Sequence, residues 1–465
     1  MSQRIEWETI AAIATPRGEG GLGIVRVSGN RAIPIACQIF RSPSGISPSD
    51  MPSHTLNYGH VIEPGSNRVV DEALLGIMRA PRSYTVEDVV ELNCHGGMTV
   101  LRRVLELTLS AGARLAEPGE FTKRAFLNGR LDLAQAEAVV SLIRSKTDLT
   151  VRVAVDQLMG KLSSAVNALN DRLANLLAEV EASIDFPDEA LDFIEQSELQ
   201  GTAQAVLKAL DELLATAKDG RILQEGINVA ILGRPNVGKS SLLNTLLQED
   251  RAIVTEIPGT TRDTLDAPLN LSGIPLNLID TAGLRHTDDV VEQHGVRRAR
   301  AAAEKADLLL ILLDASQPLT AQDEELLELA KSRKSLVVLN KTDLPVVLSV
   351  DAIRARTPNR PIVQTSLLLG HGLAELKAAI IDETLEGGSV FDDTSPIITN
   401  VRHQDALSRA KLALEQALES IGLAMPPELI AVDIRRSLDC LGEIVGRTTT
   451  EDILGRIFSQ FCIGK

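Results

Sequence analysis

Apolar and polar positions divide this chain into four stretches with different periods. In the first stretch, residues 9–14, 23–27 and 89–93 are short apolar runs bounded by glycine or polar turns, which predicts strands. A helix over 99–109 follows the turn His95-Gly96-Gly97, and Pro118-Gly119-Glu120-Phe121 marks a further turn after which the pattern becomes helical. From Ala134 to Ala217 apolar residues recur every three or four positions. Leu158, Leu162, Ala165, Leu169, Leu173, Leu176, Val180 and Ile184 form one stripe, and Asp185-Phe186-Pro187-Asp188 ends it, because a residue before proline is pushed out of the helical region. A second helix is predicted over 198–217, ending at Gly220. The third stretch holds apolar runs at 227–232, 274–279 and 336–339 that read as buried strands. Asp392-Asp393-Thr394-Ser395-Pro396 reads as a linker, and helical periodicity resumes from about Arg402, with Thr448 and Glu451 spaced as a capping box for the last helix.

The fold class predicted is multidomain α/β plus α. An N-terminal α/β domain spans 1–124, a helical domain begins over 125–220 and resumes over 386–465, and a Ras-like P-loop domain with a mostly parallel sheet is inserted over 221–385. Two separate helical domains are the alternative, but each would leave a long apolar stripe uncovered.

Glycine placement gives the third stretch its chemistry. Gly233-Arg234-Pro235-Asn236-Val237-Gly238-Lys239-Ser240 follows one predicted strand and opens a helix, as a phosphate-binding loop requires. Backbone N–H groups from Asn236 to Ser241 would face a polyphosphate, Lys239 would reach its outer phosphates and Ser240 would put a hydroxyl on Mg2+. Asp280-Thr281-Ala282-Gly283 ends the second run, where a carboxylate would hold Mg2+ through water and Gly283 would meet the γ-phosphate. Asn340-Lys341-Thr342-Asp343 ends the third. Asp343 would accept hydrogen bonds from the N1–H and 2-amino group of guanine, which adenine does not offer, and Ser366 lies in a loop that would back the base. Asp-Thr-Ala-Gly alone reads as an ordinary turn. The four motifs in this order, each after a strand, identify a GTP-binding domain.

The loop Thr255-Glu256-Ile257-Pro258-Gly259-Thr260-Thr261-Arg262-Asp263 is the natural first switch, with Thr261 a Mg2+ ligand. Leu284 stands where many GTPases carry a water-orienting glutamine. Glu292 can take that role, or it is one solvated charge among Asp288 and Asp289. A monovalent cation held by Asn236 and switch carbonyls is a candidate source of the positive charge for which no arginine can be named.

Composition narrows the setting. The 465 residues carry a formal net charge of −16, which argues against a broad basic surface for nucleic acid, so any RNA contact is local or mediated by a partner. Aromatic residues make up 2%, so the cores are built from Leu, Ile, Val and Ala. Cys37, Cys94, Cys440 and Cys462 lack metal spacing, and no stretch is apolar enough to span a membrane, so a reducing cytoplasm is expected. The glycine-rich segment 15–23 reads as a flexible loop, and His95 as a turn histidine bonded to backbone.

The whole chain resembles the tRNA-modification GTPase MnmE (TrmE) family. The resemblance rests on the 233–240 loop, Gly259-Thr260-Thr261-Arg262-Asp263, Asp280 to Gly283 and Asn340 to Asp343. It also rests on the 15–23 glycine loop, Leu131-Asp132-Leu133-Ala134-Gln135-Ala136-Glu137 and the ending Phe461-Cys462-Ile463-Gly464-Lys465. It implies an N-terminal domain that binds a tetrahydrofolate one-carbon donor (5-formyl- or 5,10-methylene-tetrahydrofolate) and forms a homodimer. It further implies the flavoprotein MnmG as partner and tRNA as substrate, with a (carboxymethyl)aminomethyl group installed at C5 of the wobble uridine. By the same resemblance, K+ would sit on Asn236, Thr255, Ile257 and Thr260, and Mg2+ on Ser240 and Thr261. Glu292 would be the catalytic glutamate, beside Lys239, and Arg26, Glu91, Arg130 and Lys465 would contact folate. The family often has lysine at the place of Arg130. Cys462 matches the family's terminal cysteine, a candidate catalytic thiol. A regulatory GTPase for ribosome assembly or another RNA process is the alternative function.

Overall fold

A computed structural model describes residues 7–16, 18–185, 196–249, 269–279, 303–385 and 395–465. The N-terminal unit is built on strands β1 (Ile10–Ile13), β2 (Gly23–Ser28), β3 (Phe40–Arg41), β4 (Thr55–Ile62), β5 (Val69–Met78), β6 (Val89–Cys94) and β7 (Arg114–Leu115). Helices α1 (Ala32–Ile39), α2 (Met98–Ser110) and α3 (Glu120–Leu127) accompany them. The sheet order is β3-β4-β5-β6-β2-β1-β7, antiparallel except between β1 and β7. Alternation along β2 turns Val25 and Val27 into a core with Ile33, Ile35, Leu101 and Val104 of α1 and α2, and leaves Ile24 and Arg26 on the other face.

The helical unit begins with α4 (Leu133–Arg144), α5 (Asp148–Leu158), α6 (Lys161–Asp185), α7 (Gln196–Ala215) and α8 (Ala217–Glu225). The inserted unit follows, with β8 (Ile227–Leu232), α9 (Lys239–Glu249), β9 (Leu269–Leu271), β10 (Ile274–Ile279) and β11 (Leu308–Asp314). It continues through α10 (Ala321–Ser332), β12 (Ser335–Asn340), α11 (Val350–Arg354), β13 (Ile362–Gln364) and α12 (Leu373–Thr384). Its sheet runs β13-β12-β11-β8-β10-β9, parallel except at the β9–β10 hairpin. All residues of β11 and β12 are buried, as befits central parallel strands covered on both faces. The chain then returns through α13 (Val401–Gly422), α14 (Pro427–Val445) and α15 (Glu451–Phe458).

The two helical stretches are one unit. Leu169, Leu173 and Leu176 of α6, Val206 and Leu210 of α7, Leu407 and Leu414 of α13 and Ile434 and Leu441 of α14 share a single core.

Three expectations about the helices need correction. The Leu158–Ile184 stripe is not one helix: Met159 and Gly160 break it, Gly160 taking φ +89°, so Leu158 closes α5 and α6 starts at Lys161. Gly220 is not a helix end either. It lies within α8, where a Cβ would sit 2.2 Å from the carbonyl oxygen of Ile398, so the glycine is needed for close packing of the returning chain. The Thr448–Glu451 capping box does not form. Thr450 is the N-cap of α15, and the Thr448 hydroxyl donates instead to the carbonyl of Asp439 at 2.7 Å.

Candidate functional site

In open parallel sheets, ligands bind beyond the carboxyl ends of the strands. Here β8, β11 and β12 lie side by side, and their ends carry the 233–240 loop, Asp314 and Asn340 to Asp343. Two glycines fit the loop into this edge. A Cβ on Gly233 would lie 2.5 Å from the carbonyl oxygen of Leu312, and one on Gly238, at φ +108°, would lie 2.3 Å from Nδ2 of Asn340. Asn340 ties three loops: Nδ2 donates to the carbonyl of Val237 at 2.8 Å, while Oδ1 accepts from the Thr365 hydroxyl and the Leu367 N–H, each at 3.3 Å. Ser366 donates to Oδ1 of Asp343 at 2.6 Å.

Lys239 opens α9 and its ammonium donates to the carbonyls of Gly233 (2.8 Å) and Arg234 (2.6 Å). Burial lowers its pKa, which makes an anionic partner at this position favourable. Arg234 is held by Asp323, buried in the first turn of α10, at 2.8 Å. Lys341, with φ +66°, ion-pairs with Asp314 at 2.7 Å. Burial works against the charge on Asp314, but Lys341 and Ser316 hold its pKa below the ordinary carboxylate range. Asn236 on the loop and Ser240 and Ser241 in the first turn of α9 are exposed, and the Asn236 amide and Ser240 hydroxyl are hard oxygen donors of the kind K+ and Mg2+ take. Thr255, Glu256, Ile257, Pro258, Gly259, Thr260, Thr261, Asp280, Thr281, Ala282, Gly283 and Glu292 lie outside the described residues.

The second candidate site joins the two ends of the chain. Register places Arg26 directly opposite Glu91, and Nε donates to Oε1 at 2.8 Å. Phe458 and Phe461 pack with Leu133 and Ala136 of α4, and Phe126 of α3 packs against the same cluster, which brings the C-terminal tail to the N-terminal unit. Gly464 takes φ +96°, and a Cβ there would sit 2.4 Å from the carbonyl oxygen of Ile13, so only glycine lets the tail lie on the end of β1. Its carbonyl accepts from Nη1 of Arg26 at 3.2 Å. Burial first, then the neighbouring Arg26, lower the pKa of Lys465, while Glu91 and Cys462 oppose that shift. Cys462 is exposed, and its carbonyl accepts from the N–H of Lys465 at 3.3 Å.

Arg130 joins this cluster indirectly. Its guanidinium lies 4.9 Å from the centre of the Tyr84 ring and donates to the Tyr84 carbonyl at 3.1 Å, while Arg26 lies 5.8 Å from the same ring. Sequence reasoning missed Tyr84, although in a chain with two tyrosines an aromatic beside an arginine is a usable signal. A cavity of about 630 Å³ opens beside Tyr84 and Arg130, with Arg82 and His54 on its wall. Near the glycine-rich loop, His95 bonds through Nδ1 to the carboxylate of Asp71 at 2.7 Å, rather than to backbone, and that bond raises its pKa.

Among the described residues, no group of three or more His, Cys, Asp or Glu side chains is placed to hold a metal, and no helix is long and apolar enough to cross a membrane.

Residues 133–462 match the family described as MnmE helical domain, and residues 9–130 match the GTP-binding protein TrmE N-terminus. The tRNA modification GTPase MnmE of Geobacillus thermodenitrificans is 50% identical over 463 residues, covering 99% of this chain and all of that one. The protein of the same description from Enterococcus faecalis is 47% identical over 466 residues, covering both chains fully. Among solved structures, the G domain of the T. maritima FeoB iron transporter is 28% identical, covering 34% of this chain and 99% of that one, with a TM-score of 0.27. With two adjoining family matches and half of all residues shared with a relative end to end, this chain belongs to the tRNA modification GTPase MnmE family.

Proposed function

We propose that the protein is a GTP hydrolase acting in tRNA modification, and specifically in C5 (carboxymethyl)aminomethyl modification of wobble uridine, as a cytoplasmic homodimer with the flavoprotein MnmG. The 233–240 loop binds the phosphates and Asn340, Lys341, Asp343 and Ser366 bind guanine. Ser240 and Thr261 hold Mg2+, which neutralises phosphate charge. Asn236, Thr255, Ile257 and Thr260 hold K+, which supplies the positive charge that an arginine supplies in other GTPases. Glu292 orients the attacking water. Residues 1–124 form the folate-binding and dimerisation domain, 221–385 the GTPase domain, and 125–220 with 386–465 the helical domain between them.

The observation that carries the folate reading is the meeting of Arg26, Glu91 and Lys465 at one spot. Two like charges crowd there, so a ligand carboxylate would relieve their repulsion, and Glu91 can accept from a pterin N–H. Cys462 exposes a thiol next to this cluster, where a carbon-bearing ligand would lie. Calorimetry with 5-formyltetrahydrofolate is expected to show binding to the wild type, weakened roughly 10- to 100-fold by Arg26→Ala through loss of a charged hydrogen bond. Equal affinity in the variant would remove Arg26 from the site, and no binding by the wild type would end the folate reading.

For the cation, GTP turnover is expected to be faster in KCl than in NaCl by roughly tenfold or more, the scale of one transition-state charge. Equal rates in the two salts would refute a K+ site.

A further inference from the structure

Asp314 raises a question of charge. A buried carboxylate at the end of the central strand, flanked by the strands that carry the phosphate-binding loop and Asn340, would repel a nucleotide unless its charge is used locally. Its two oxygens do different work. Oδ1 accepts from the N–H and hydroxyl of Ser316 at 3.0 and 2.6 Å, closing the turn after β11, while Oδ2 takes the Lys341 ammonium at 2.7 Å. Lys341 holds a left-handed backbone, φ +66°, which an L-residue adopts at some cost. The ion pair therefore ties the loop, two residues before Asp343, to the end of β11.

We propose that Asp314 is a positioning residue for guanine-nucleotide binding: by fixing the Lys341 ammonium it holds the left-handed backbone at Lys341, and with it the Asn340 to Asp343 loop, in place for the base. This rests on the reading of Asn340 to Asp343 as the base-binding loop. Asp314 touches neither base nor phosphate and acts through Lys341. Asparagine at 314 keeps a carbonyl oxygen for Ser316 and loses the charge that holds the lysine.

The test is a double-mutant cycle on the full-length protein, with affinity for a fluorescent N-methylanthraniloyl-GDP as readout. Asp314→Asn and Lys341→Met are each expected to weaken binding on the order of tenfold, and the double variant to be no weaker than Lys341→Met alone. Losses that multiply to about a hundredfold would mean that Asp314 serves only the turn, and would overturn the proposal. So would an unchanged affinity in Asp314→Asn. A wild type that does not bind the nucleotide would instead strike the base-binding reading itself, so the two failures are distinguishable.

Discussion

Asp343→Asn is expected to lower affinity for GTP by between about 10² and 10⁴-fold and to raise affinity for xanthosine triphosphate, because the bond to N1–H loses its charge, the bond to the 2-amino group becomes a donor–donor clash, and xanthine turns that clash back into a hydrogen bond. The carboxylate offers two acceptors, matching the two donors on the edge of guanine. Ser366 already donates to Oδ1 at 2.6 Å, which fixes the group in plane. In the variant, the amide oxygen is drawn to the Ser366 hydroxyl and the NH2 group is turned towards the base, where it meets the 2-amino group of guanine donor to donor. Xanthine carries a C2 carbonyl at that place and accepts from the amide, while its N1–H still donates to the amide oxygen. Binding isotherms for both nucleotides with both proteins decide the point. GTP affinity kept within threefold would show that Asp343 does not read the base. A loss for both nucleotides alike would mean that the substitution damaged the loop rather than its specificity.

This loop was legible because each of its parts is short-range. Strands β8, β10 and β12 announce themselves as apolar runs, and the motifs that follow them point to one chemistry when read together in order. Elsewhere the local signal fails for identifiable reasons. Strands β4 and β5 are half-buried, and Leu56, Tyr58, Val69 and Leu74 stand exposed, so their apolar residues do not alternate with burial. Strand β11 is a leucine run without a period, which reads as readily as buried helix. In the Arg26 cluster, the resemblance names the residues but not what joins them. The register of β2 against β6 joins residues 65 apart, and the fold of the tail at Gly464 joins residues 438 apart. The corrected capping box shows the same limit, since the Thr448 hydroxyl, instead of accepting from a helix N–H, donates to the carbonyl of Asp439 on the preceding helix.

The inserted domain makes one buried cluster carry more than its size suggests, and Glu137→Ala is expected to destabilise the helical unit by about 3–5 kcal/mol. Glu137, on α4, accepts through Oε1 from Asn400 (3.1 Å) and Arg402 Nε (2.9 Å), and through Oε2 from Arg402 Nη2 (2.6 Å) and His403 Nε2 (2.7 Å). These partners stand where the chain re-enters the bundle after the GTPase unit. Just before them, Gln157 binds the Ile397 carbonyl at 2.8 Å and Thr216 accepts from the Ile398 N–H at 3.0 Å. The cluster therefore fastens the second half of the bundle to the first, and alanine leaves the half-buried Arg402 without its counter-charge and the buried His403 without its partner. Burial by itself would raise the Glu137 pKa, but His403 and Arg402 outweigh it and bring it from 4.5 to about 2. The folded value lies below the unfolded one, so the stabilisation is complete above pH 4.5 and is lost as pH falls towards 2. Across that window the charge is worth about 3 kcal/mol. Glu137→Gln has no charge to titrate, so in urea unfolding followed by circular dichroism the gap between wild type and Glu137→Gln is expected to narrow steadily below pH 4.5. A gap that stays constant down to pH 3 would mean that Glu137 contributes shape and hydrogen bonds alone, and that the returning chain is held by packing around Ile398 rather than by this charge.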